Sequence, residues 1–299
     1  MSARGGSAGP GSKIDPAARH ASDQAAHQAG VTIRSLEDLA EMSEVESLFE
    51  RIWGPGGVTV PLLRSLVLSG NYVAGAWAHD QLIGASIAFV SPTGYPRSAH
   101  LHISGVAPSA QGSGIGFALL CDQRTWALER GIEEITWTFD PLVRRNGWFA
   151  TVKLGARCDA YFPDFFGYLN DPINRWDYTD RCLARWDLAT AMPGENRPAD
   201  VDDPYIGTRA LTILTEGASG EPSLPQSDWM DLEPELLLCQ VPTDALGLRQ
   251  SEPQLAREWL AALRGTFARS IDAGYVVTSM TTGGSYVLRR TGGESPARS

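Results

Sequence analysis

The sequence has little lysine, no excess of positive charge and no long apolar run. Lysine occurs only at Lys13 and Lys153, and 35 acidic residues against 25 basic ones give a net charge of −10. Sequence-independent binding of nucleic acid needs basic surfaces that displace phosphate counterions, so this charge disfavours a nucleic-acid-binding protein. We find neither an apolar run of about 18 residues, as a membrane-spanning helix requires, nor a secretory signal. We therefore expect a cytoplasmic protein without a membrane partner.

Cysteine is also scarce, and its spacing is not that of a metal site. The four cysteines lie far apart and form no C-x-x-C pair, which disfavours zinc binding and redox chemistry. Because free cysteine is usually buried, we expect four buried thiols and no bound metal: Cys121, Cys158, Cys182 and Cys239.

The composition divides the 299 residues into five segments. Residues 1–30 and 291–299 lack apolar periodicity, which predicts disordered tails. Residues 31–190 are predicted to form the first domain, and residues 232–290 a C-terminal unit. Between them, residues 191–231 are rich in Pro, Gly, Asp and Ser, which is typical of a linker or a long excursion.

The C-terminal unit has the predicted order strand, helix, strand, strand. Leu236–Val241 has the composition of a strand, and apolar residues recur every four positions from Leu255 to Ile271. A hairpin is predicted around Gly283-Gly284. The apolar helix face must be buried against the first domain or against a second copy of the unit, so a homodimer is left open.

A glycine-rich turn between a strand and a helix is the most informative feature. The predicted strand His100–Val106 precedes Gln111-Gly112-Ser113-Gly114-Ile115-Gly116, and a helix then continues to Arg130. Glycine lets the main chain approach a ligand closely, and free amides at a helix N-terminus favour anions. The pattern indicates a pyrophosphate cradle, although Phe117 excludes the spacing G-x-G-x-x-G and no Gly-Lys-Ser/Thr follows. A tight helix entry without any ligand is the alternative interpretation.

Residues Gln111–Gly116 also fit the acyl-CoA signature Gln/Arg-x-x-Gly-x-Gly/Ala, and here the sequence resembles the GCN5-related N-acetyltransferase (GNAT) superfamily. The predicted elements from Val31 to Leu188 follow the order of that family. The resemblance implies an α/β (α+β) fold, in which helices flank a central mixed, mostly antiparallel sheet; the C-terminal β-α-β-β unit is added to it. It also implies that residues 31–190 bind acyl-CoA through the preceding strand and the glycine loop: Gly105, Val106, Gln111, Gly112, Ser113, Gly114, Ile115 and Gly116, with Asn146 as a further contact.

A second group of residues is similar to a larger, two-part subgroup of the superfamily. It comprises His100-Leu101-His102, Trp137–Leu142 and Lys153-Leu154-Gly155. Some members of the wider group look like N-succinyltransferases of amino acids. The resemblance thus implies direct transfer from acetyl-CoA or succinyl-CoA to a small amine or amino acid. Many relatives have a tyrosine acid two residues before the Lys-x-Gly, but Thr151 occupies that position here.

Transfer of an acyl group to an amine needs a base for the amine proton and charge stabilisation at the thioester. His100 and His102 share one face of a strand and suit the role of base, unless they are only bonded into the sheet. Asp140, at the carboxyl end of a strand, is either a base or a helix cap. Tyr161 is the downstream candidate for the acid. The candidates for substrate binding are Trp137, Arg144, Tyr168, Asp171 and Asn174.

Three alternative functions remain open at this point. The same scaffold supports O-acylation or decarboxylation of an acyl-CoA, and the missing tyrosine is compatible with both. A module that binds acyl-CoA without turning it over is the second alternative. Modification of protein lysines or N-termini is the third.

Overall fold

The computed structural model describes residues 15–91, 97–169, 178–190, 206, 209–225 and 229–291. The fold is mixed α/β, with strands flanked by helices. The chain forms two compact units, which we describe separately. Unit 1 contains the described residues up to Thr136 together with Asp187–Ala189, and unit 2 contains Trp137–Trp186 and the described residues from Thr190 onwards.

Unit 1 is built on the strand order β1-β2-β3-β4-β5. The first four strands are antiparallel neighbours, and β5 is parallel to β4. The elements are α1 (Pro16–Gln28), β1 (Thr32–Ser35), α2 (Leu39–Trp53), α3 (Val60–Leu68), β2 (Tyr72–Ala78), β3 (Gln81–Val90), β4 (Ser98–Val106), α4 (Ile115–Leu128) and β5 (Glu134–Phe139), the last of which continues into unit 2.

Helix α2 shows how sequence fixes the elements of unit 1. Its apolar residues Met42, Val45, Leu48 and Phe49 are buried against β2 and β3. Asp38 caps the helix by accepting a hydrogen bond from the Glu41 amide at 2.9 Å. The helix therefore begins after Asp38.

Helix α1 corrects the prediction of a disordered tail over residues 15–30; the rest of the predicted tail, residues 1–14, lies outside the described residues. Asp15 caps it by accepting hydrogen bonds from the Ala17 and Ala18 amides. Ala18 and Ala25 are buried, and the Thr125 hydroxyl on α4 donates to the Ala18 carbonyl at 3.1 Å. The buried face consists of small residues that permit close packing on α4, so it has none of the large apolar residues from which a helix is predicted.

Unit 2 has the strand order β7-β6-β11-β12-β10-β8-β9. All neighbouring pairs in this run are antiparallel except β10 and β8, which are parallel. The elements are α5 (Arg144–Trp148) with the π-helical turn Phe149–Lys153, β6 (Arg157–Phe162), β7 (Arg181–Asp187), β8 (Ala210–Glu216), β9 (Pro222–Ser223), β10 (Leu236–Gln240), α6 (Ala245–Ser251), α7 (Pro253–Asp272), β11 (Tyr275–Met280) and β12 (Ser285–Arg290).

The boundary between the two units differs from the predicted domain boundary near residue 190. It falls between Thr136 and Trp137, because the segment Trp137–Trp186 has its tertiary partners among the C-terminal strands. Cys158 on β6 is paired with Val277 on β11, for example. The predicted strand-helix-strand-strand order is present as β10, α7, β11 and β12. Residues 191–231, predicted to be a linker or a long excursion, contain β8, which is hydrogen-bonded to β10.

The prediction of four buried thiols is confirmed, since all four cysteines are free and buried. Burial raises the pKa of each, and that of Cys121 reaches about 12. No helix in the described part of the chain is long and apolar enough to cross a membrane.

Candidate functional site

The glycine loop of unit 1 connects β4 to α4 and leaves open space above its main chain. Gly112 and Gly114 have φ angles of +84° and +87°, a conformation that side chains disfavour. Among the described residues, no heavy atom lies within 4 Å of the position that a Cβ atom on Gly112 would occupy. A ligand can therefore lie directly on the main chain at this point.

The first amides of α4, which follows this loop, have no acceptor within the helix. The first main-chain hydrogen bond of the helix runs from the Ala118 amide to the Gly114 carbonyl at 3.0 Å. No side chain in the described residues caps the helix, so the amides of Ile115, Gly116 and Phe117 have no acceptor within the helix. The sequence carries no Asp or Glu between Asp80 and Asp122, in a chain of net charge −10. Both features favour an anion at this helix end.

The polar residues of the loop hold its shape. The Gln111 side-chain amide donates to the Val106 carbonyl at 3.3 Å, and the Ser113 hydroxyl donates to the Ala110 carbonyl at 2.6 Å. Gly105 is required by packing, since a Cβ atom there would lie 2.5 Å from the Trp53 ring. The predicted roles of these residues as direct ligands stay predictions, and the structure adds a bracing role for Gln111 and Ser113.

Two histidines lie next to a β-bulge in β4. Ile87 pairs with Ile103 and Ala88 with Leu101, so His102 has no partner on β3. Phe89 pairs directly with His100, and its ring centroid lies 5.0 Å from that of His102. Directly paired residues point to the same face of a sheet, so both imidazoles lie on the Phe89 face. This agrees with the predicted arrangement of the two side chains.

The His100 ring is held by β5. Its Nδ1 lies 3.0 Å from the Thr136 hydroxyl oxygen, and the two residues are paired across β4 and β5. This is the last pair of the ladder, although β4 continues to Val106. Main-chain groups of β4 beyond His100 are thus left outside this ladder, on the stretch where the family resemblance implies contact with pantetheine.

The pKa of each histidine is lowered, which favours the neutral imidazole. Burial lowers the pKa of His100, and the charge of the neighbouring His102 lowers it further. Part of the His102 side chain is exposed, but the surrounding protein still lowers its pKa by partial burial. A neutral imidazole at pH 7 is able to accept a proton.

In unit 2, Asp140 lies in a buried ion pair. An Arg249 nitrogen lies 2.7 Å from its carboxylate, and the two side chains are only 3% and 9% exposed for Arg249 and Asp140, respectively. The carboxylate also accepts the Leu142 amide at 2.9 Å, in the turn before α5. It does not cap that helix, whose N-cap residue is Val143 and which has no side-chain cap among the described residues. Because both oxygens have structural partners, Asp140 is poorly suited to act as a base.

Tyr161 belongs to a polar cluster around Asp180. It donates to the Asp180 carboxylate, which also accepts two hydrogen bonds from Arg264 and one from the Asp164 amide. Burial alone would raise the pKa of Asp180, but these hydrogen bonds hold it below its usual range. Burial and the carboxylate raise the pKa of Tyr161, which makes it a weaker acid. Tyr161 is therefore poorly suited to protonate a leaving group.

Tyr161→Phe is expected to lower the free energy of unfolding by about 1.5–3 kcal/mol, since it removes one hydrogen bond to a buried carboxylate. Tyr168→Phe is the control, because Tyr168 is 56% exposed and the side chain to which it is hydrogen-bonded, Tyr178, is itself 38% exposed. Chemical denaturation measures both variants. Equal stability of the two variants would contradict the assigned role of Tyr161.

The remaining predicted site residues belong to unit 2, and the structure gives their burial and their hydrogen bonds as follows. Trp137 is buried, Asn146 is half-buried on α5, and the half-buried Arg144 donates to the Val241 carbonyl at 3.1 Å. A hydrogen bond with Tyr178 and partial burial raise the pKa of Tyr168. Asp171 and Asn174 lie outside the described residues.

The position of the missing tyrosine acid is occupied by a buried hydroxyl. Thr151 is 1% exposed and donates to the Gly147 carbonyl at 2.9 Å. Sequence reasoning missed Thr136, Phe89 and Arg249, whose partners are distant in the chain and give no local signal. In the described residues no group of three or more His, Cys, Asp or Glu side chains is arranged to hold a metal ion.

Residues 40–149, a little more than a third of the chain, match the sequence model of the acetyltransferase (GNAT) family. The match contains β4, the glycine loop and α4. This segment of the chain is thus similar in sequence to GNAT acetyltransferases. The match supports an acyltransferase enzyme.

Among solved structures, the chain is similar at low sequence identity to several acetyltransferases. An N-acetyltransferase from Staphylococcus aureus Mu50 is 14% identical, with a TM-score of 0.45, over 53% of this chain and 98% of its own. The ribosomal-protein-S18-alanine N-acetyltransferase from Escherichia coli is 18% identical, with a TM-score of 0.42, over 56% and 97%. An aminoglycoside 6'-N-acetyltransferase complexed with coenzyme A is 15% identical, with a TM-score of 0.42, over 54% and 98%. No curated protein sequence matches the chain.

Proposed function

We propose that this protein is an acyl-CoA-dependent N-acyltransferase that transfers an acetyl or larger acyl group, such as succinyl, directly to a small amine or amino acid. The observation that carries the proposal is the cradle formed by Gly112, Gly114 and the free amides of α4. An acyl-CoA presents a diphosphate, and a helix N-terminus with unbonded amides is suited to such an anion.

The residues of the cradle fit an acyl-CoA. The space above Gly112 is open, the free amides come from three successive residues, and no carboxylate lies in this part of the sequence. The amides of Ile115, Gly116 and Phe117 would hold the diphosphate. Main-chain groups of β4 between His100 and Val106 would contact the pantetheine arm. When bound, the cofactor supplies an activated acyl thioester.

We assign the role of general base to His102. An amine acceptor is an ammonium ion at neutral pH and must lose a proton before it attacks a carbonyl carbon. The neutral His102 imidazole accepts this proton, and the bulge in β4 sets its position. His100, bonded to Thr136, keeps the neighbouring imidazole in place. Thr151 and Tyr161 are both bonded within the fold, so the proposal assigns no acid to either.

Acyl-CoA binding tests the cradle. Gly112→Ala places a methyl group in the space above the loop and is expected to weaken acetyl-CoA binding at least about tenfold, or 1.4 kcal/mol. Calorimetry with CoA, acetyl-CoA and succinyl-CoA measures the affinities and identifies the preferred donor. Release of free thiol in the presence of a panel of amines and amino acids then identifies the acceptor.

Gly56→Ala is the matched control. Gly56 has a φ of +97° and equally open space, but it lies between α2 and α3. Both substitutions strain a left-handed residue by about 1–2 kcal/mol, so both lower Tm to a similar extent. Only Gly112→Ala should lose affinity. If the wild-type protein binds none of the three CoA compounds, the proposed function is wrong.

A further inference from the structure

Two segments of unit 2 follow the same path. The first segment contains β5, the helical residues Arg144–Lys153, β6 and β7, and β7 lies between β5 and β6. The second contains β10, the helices α6 and α7, β11 and β12, and β12 lies between β10 and β11. Each segment is therefore a strand, a helical connection and a hairpin whose last strand is inserted next to the first.

The two hairpins also share an irregularity at the same place. In the first, Cys158 pairs with Ala184 and Ala160 with Leu183, so Asp159 is bulged. In the second, Val277 pairs with Leu288 and Ser279 with Val287, so Thr278 is bulged. A bulge adds one unpaired residue at a defined position. Its recurrence aligns Cys158 with Val277, Asp159 with Thr278, and Ala184 with Leu288.

The two segments meet through these equivalent residues. Strands β6 and β11 are antiparallel, and their recorded pair is Cys158 with Val277. When equivalent residues of two copies lie opposite each other, the contact is isologous and a local two-fold axis passes between them. The order β5-β7-β6-β11-β12-β10 reads the same from either side of this axis.

The similarity between the two segments extends to one more strand, which precedes each of them, but not to the glycine loop. Strand β8 is parallel to β10, as β4 is to β5. The connection between β4 and β5 contains the glycine loop and α4. The described part of the connection between β8 and β10 contains only β9 and the single turn Met230–Leu232. It has no helix that could offer free amides to a diphosphate.

We infer that residues 134–187 and 236–290 are two copies of one module, and that the second copy is a partner supplied within the same chain. An exposed strand edge is a template for pairing with another chain. Here β11 covers the edge of β6, so this edge is not available to a second molecule. The number of bound cofactors rests on the proposed function: only the first copy is connected to a cofactor cradle, so each chain binds one acyl-CoA.

The second copy also fixes the segment that follows β5. The Tyr286 hydroxyl donates to the Pro141 carbonyl at 2.8 Å, and its ring leaves no room for a Cβ atom on Gly147. Arg249 pairs with Asp140, and Arg144 donates to the Val241 carbonyl. These contacts break the two-fold symmetry, because they connect the helix entry of the first copy to the strands and helix of the second.

A disulfide between the two strands tests the intramolecular pairing. Val277→Cys places a thiol opposite Cys158, and opposed residues of antiparallel strands lie within disulfide distance. We would refold the full chain at low concentration in a glutathione buffer, whose oxidised form takes up the two electrons and two protons of the thiols. The expected product on a non-reducing gel is a monomer of 32.3 kDa. Thiol titration should find two fewer thiols in this product than in the reduced variant. Val276→Cys, whose side chain points to the opposite face, should form no such bond.

Two outcomes would overturn the inference. A disulfide-linked dimer would show that β11 covers the β6 edge of another chain, and absence of the bond in a folded Val277→Cys protein would show that the strands are not paired. If Val277→Cys fails to fold, hydrogen exchange of the wild-type chain decides: the β6 amides should be protected equally at all protein concentrations. In calorimetry, two acetyl-CoA per chain would contradict the single cradle, whereas no binding at all would overturn only the proposed function.

Discussion

His102→Ala is expected to lower kcat/KM for acyl transfer by about 100-fold or more, because general base catalysis typically contributes a factor of this size. The structure places the imidazole at a bulge of β4, beside His100 and Phe89 and a few residues before the glycine loop. Release of thiol from the preferred acyl-CoA, with the best acceptor of the amine panel, measures the effect. Acyl-CoA affinity should remain unchanged.

The pH profile separates a base from a structural histidine. Burial lowers the pKa of His102, so the base is neutral at pH 7 and activity falls as the pH drops through a value below 6.5. This acid limb should disappear in His102→Ala. His20→Ala is the control, since His20 is exposed on α1 and should keep both rate and profile. A His102→Ala rate within twofold of wild type, with the acid limb retained, would assign the proton transfer to another group.

Asp140→Ala is expected to lower the free energy of unfolding by about 3–5 kcal/mol. It leaves the Arg249 guanidinium, which is 3% exposed, without its carboxylate, and an uncompensated buried charge is strongly destabilising. Denaturation by guanidinium chloride measures the change. Asp159→Ala is the matched control, since Asp159 pairs with Arg185 in the same unit but both side chains are partly exposed. It should change stability by only about 0–1 kcal/mol.

Replacing both partners of the buried pair decides whether Asp140 has a catalytic role. Asp140→Leu combined with Arg249→Met removes both charges and should recover most of the stability, because apolar replacements of buried ion pairs are often neutral. The structural assignment predicts that this double variant also keeps its activity. A stable but inactive double variant would return Asp140 to the catalytic residues.

Local sequence signals predicted those features that a short segment determines by itself. Glycines at positive φ are needed where the chain turns into α4, so the loop Gln111–Gly116 could be placed from sequence. The four-residue repeat from Leu255 to Ile271 predicted α7, because a helix must bury one face. Scarce, widely spaced cysteines predicted buried thiols. The base candidates His100 and His102 share a strand, and their common face follows from the geometry of that strand.

Contacts between distant residues could not be predicted in this way. By sequence, Asp140 is equally suited to catalysis and to capping a helix, and only the tertiary structure shows its ion pair with Arg249. By sequence, Tyr161 is a candidate acid, and only the structure shows the hydrogen bond to Asp180 that makes it a weaker acid. The alanine-rich face of α1 has no apolar pattern, because close packing on α4 uses small side chains. The expected boundary near residue 190 followed composition, whereas the actual one follows strand pairing.

The sequence by itself therefore determined the glycine loop, the resemblance to the GNAT family and the order of the elements, since each depends on residues that are close together in the chain. Only the tertiary structure decided which polar side chains remain free for chemistry and which are held in ion pairs. It also revealed the repeated module, because strand order and bulge positions persist in the fold where the side chains of the two copies have little in common. Pairing and burial depend on residues that are close in space but distant in the chain, so no local sequence pattern predicts them.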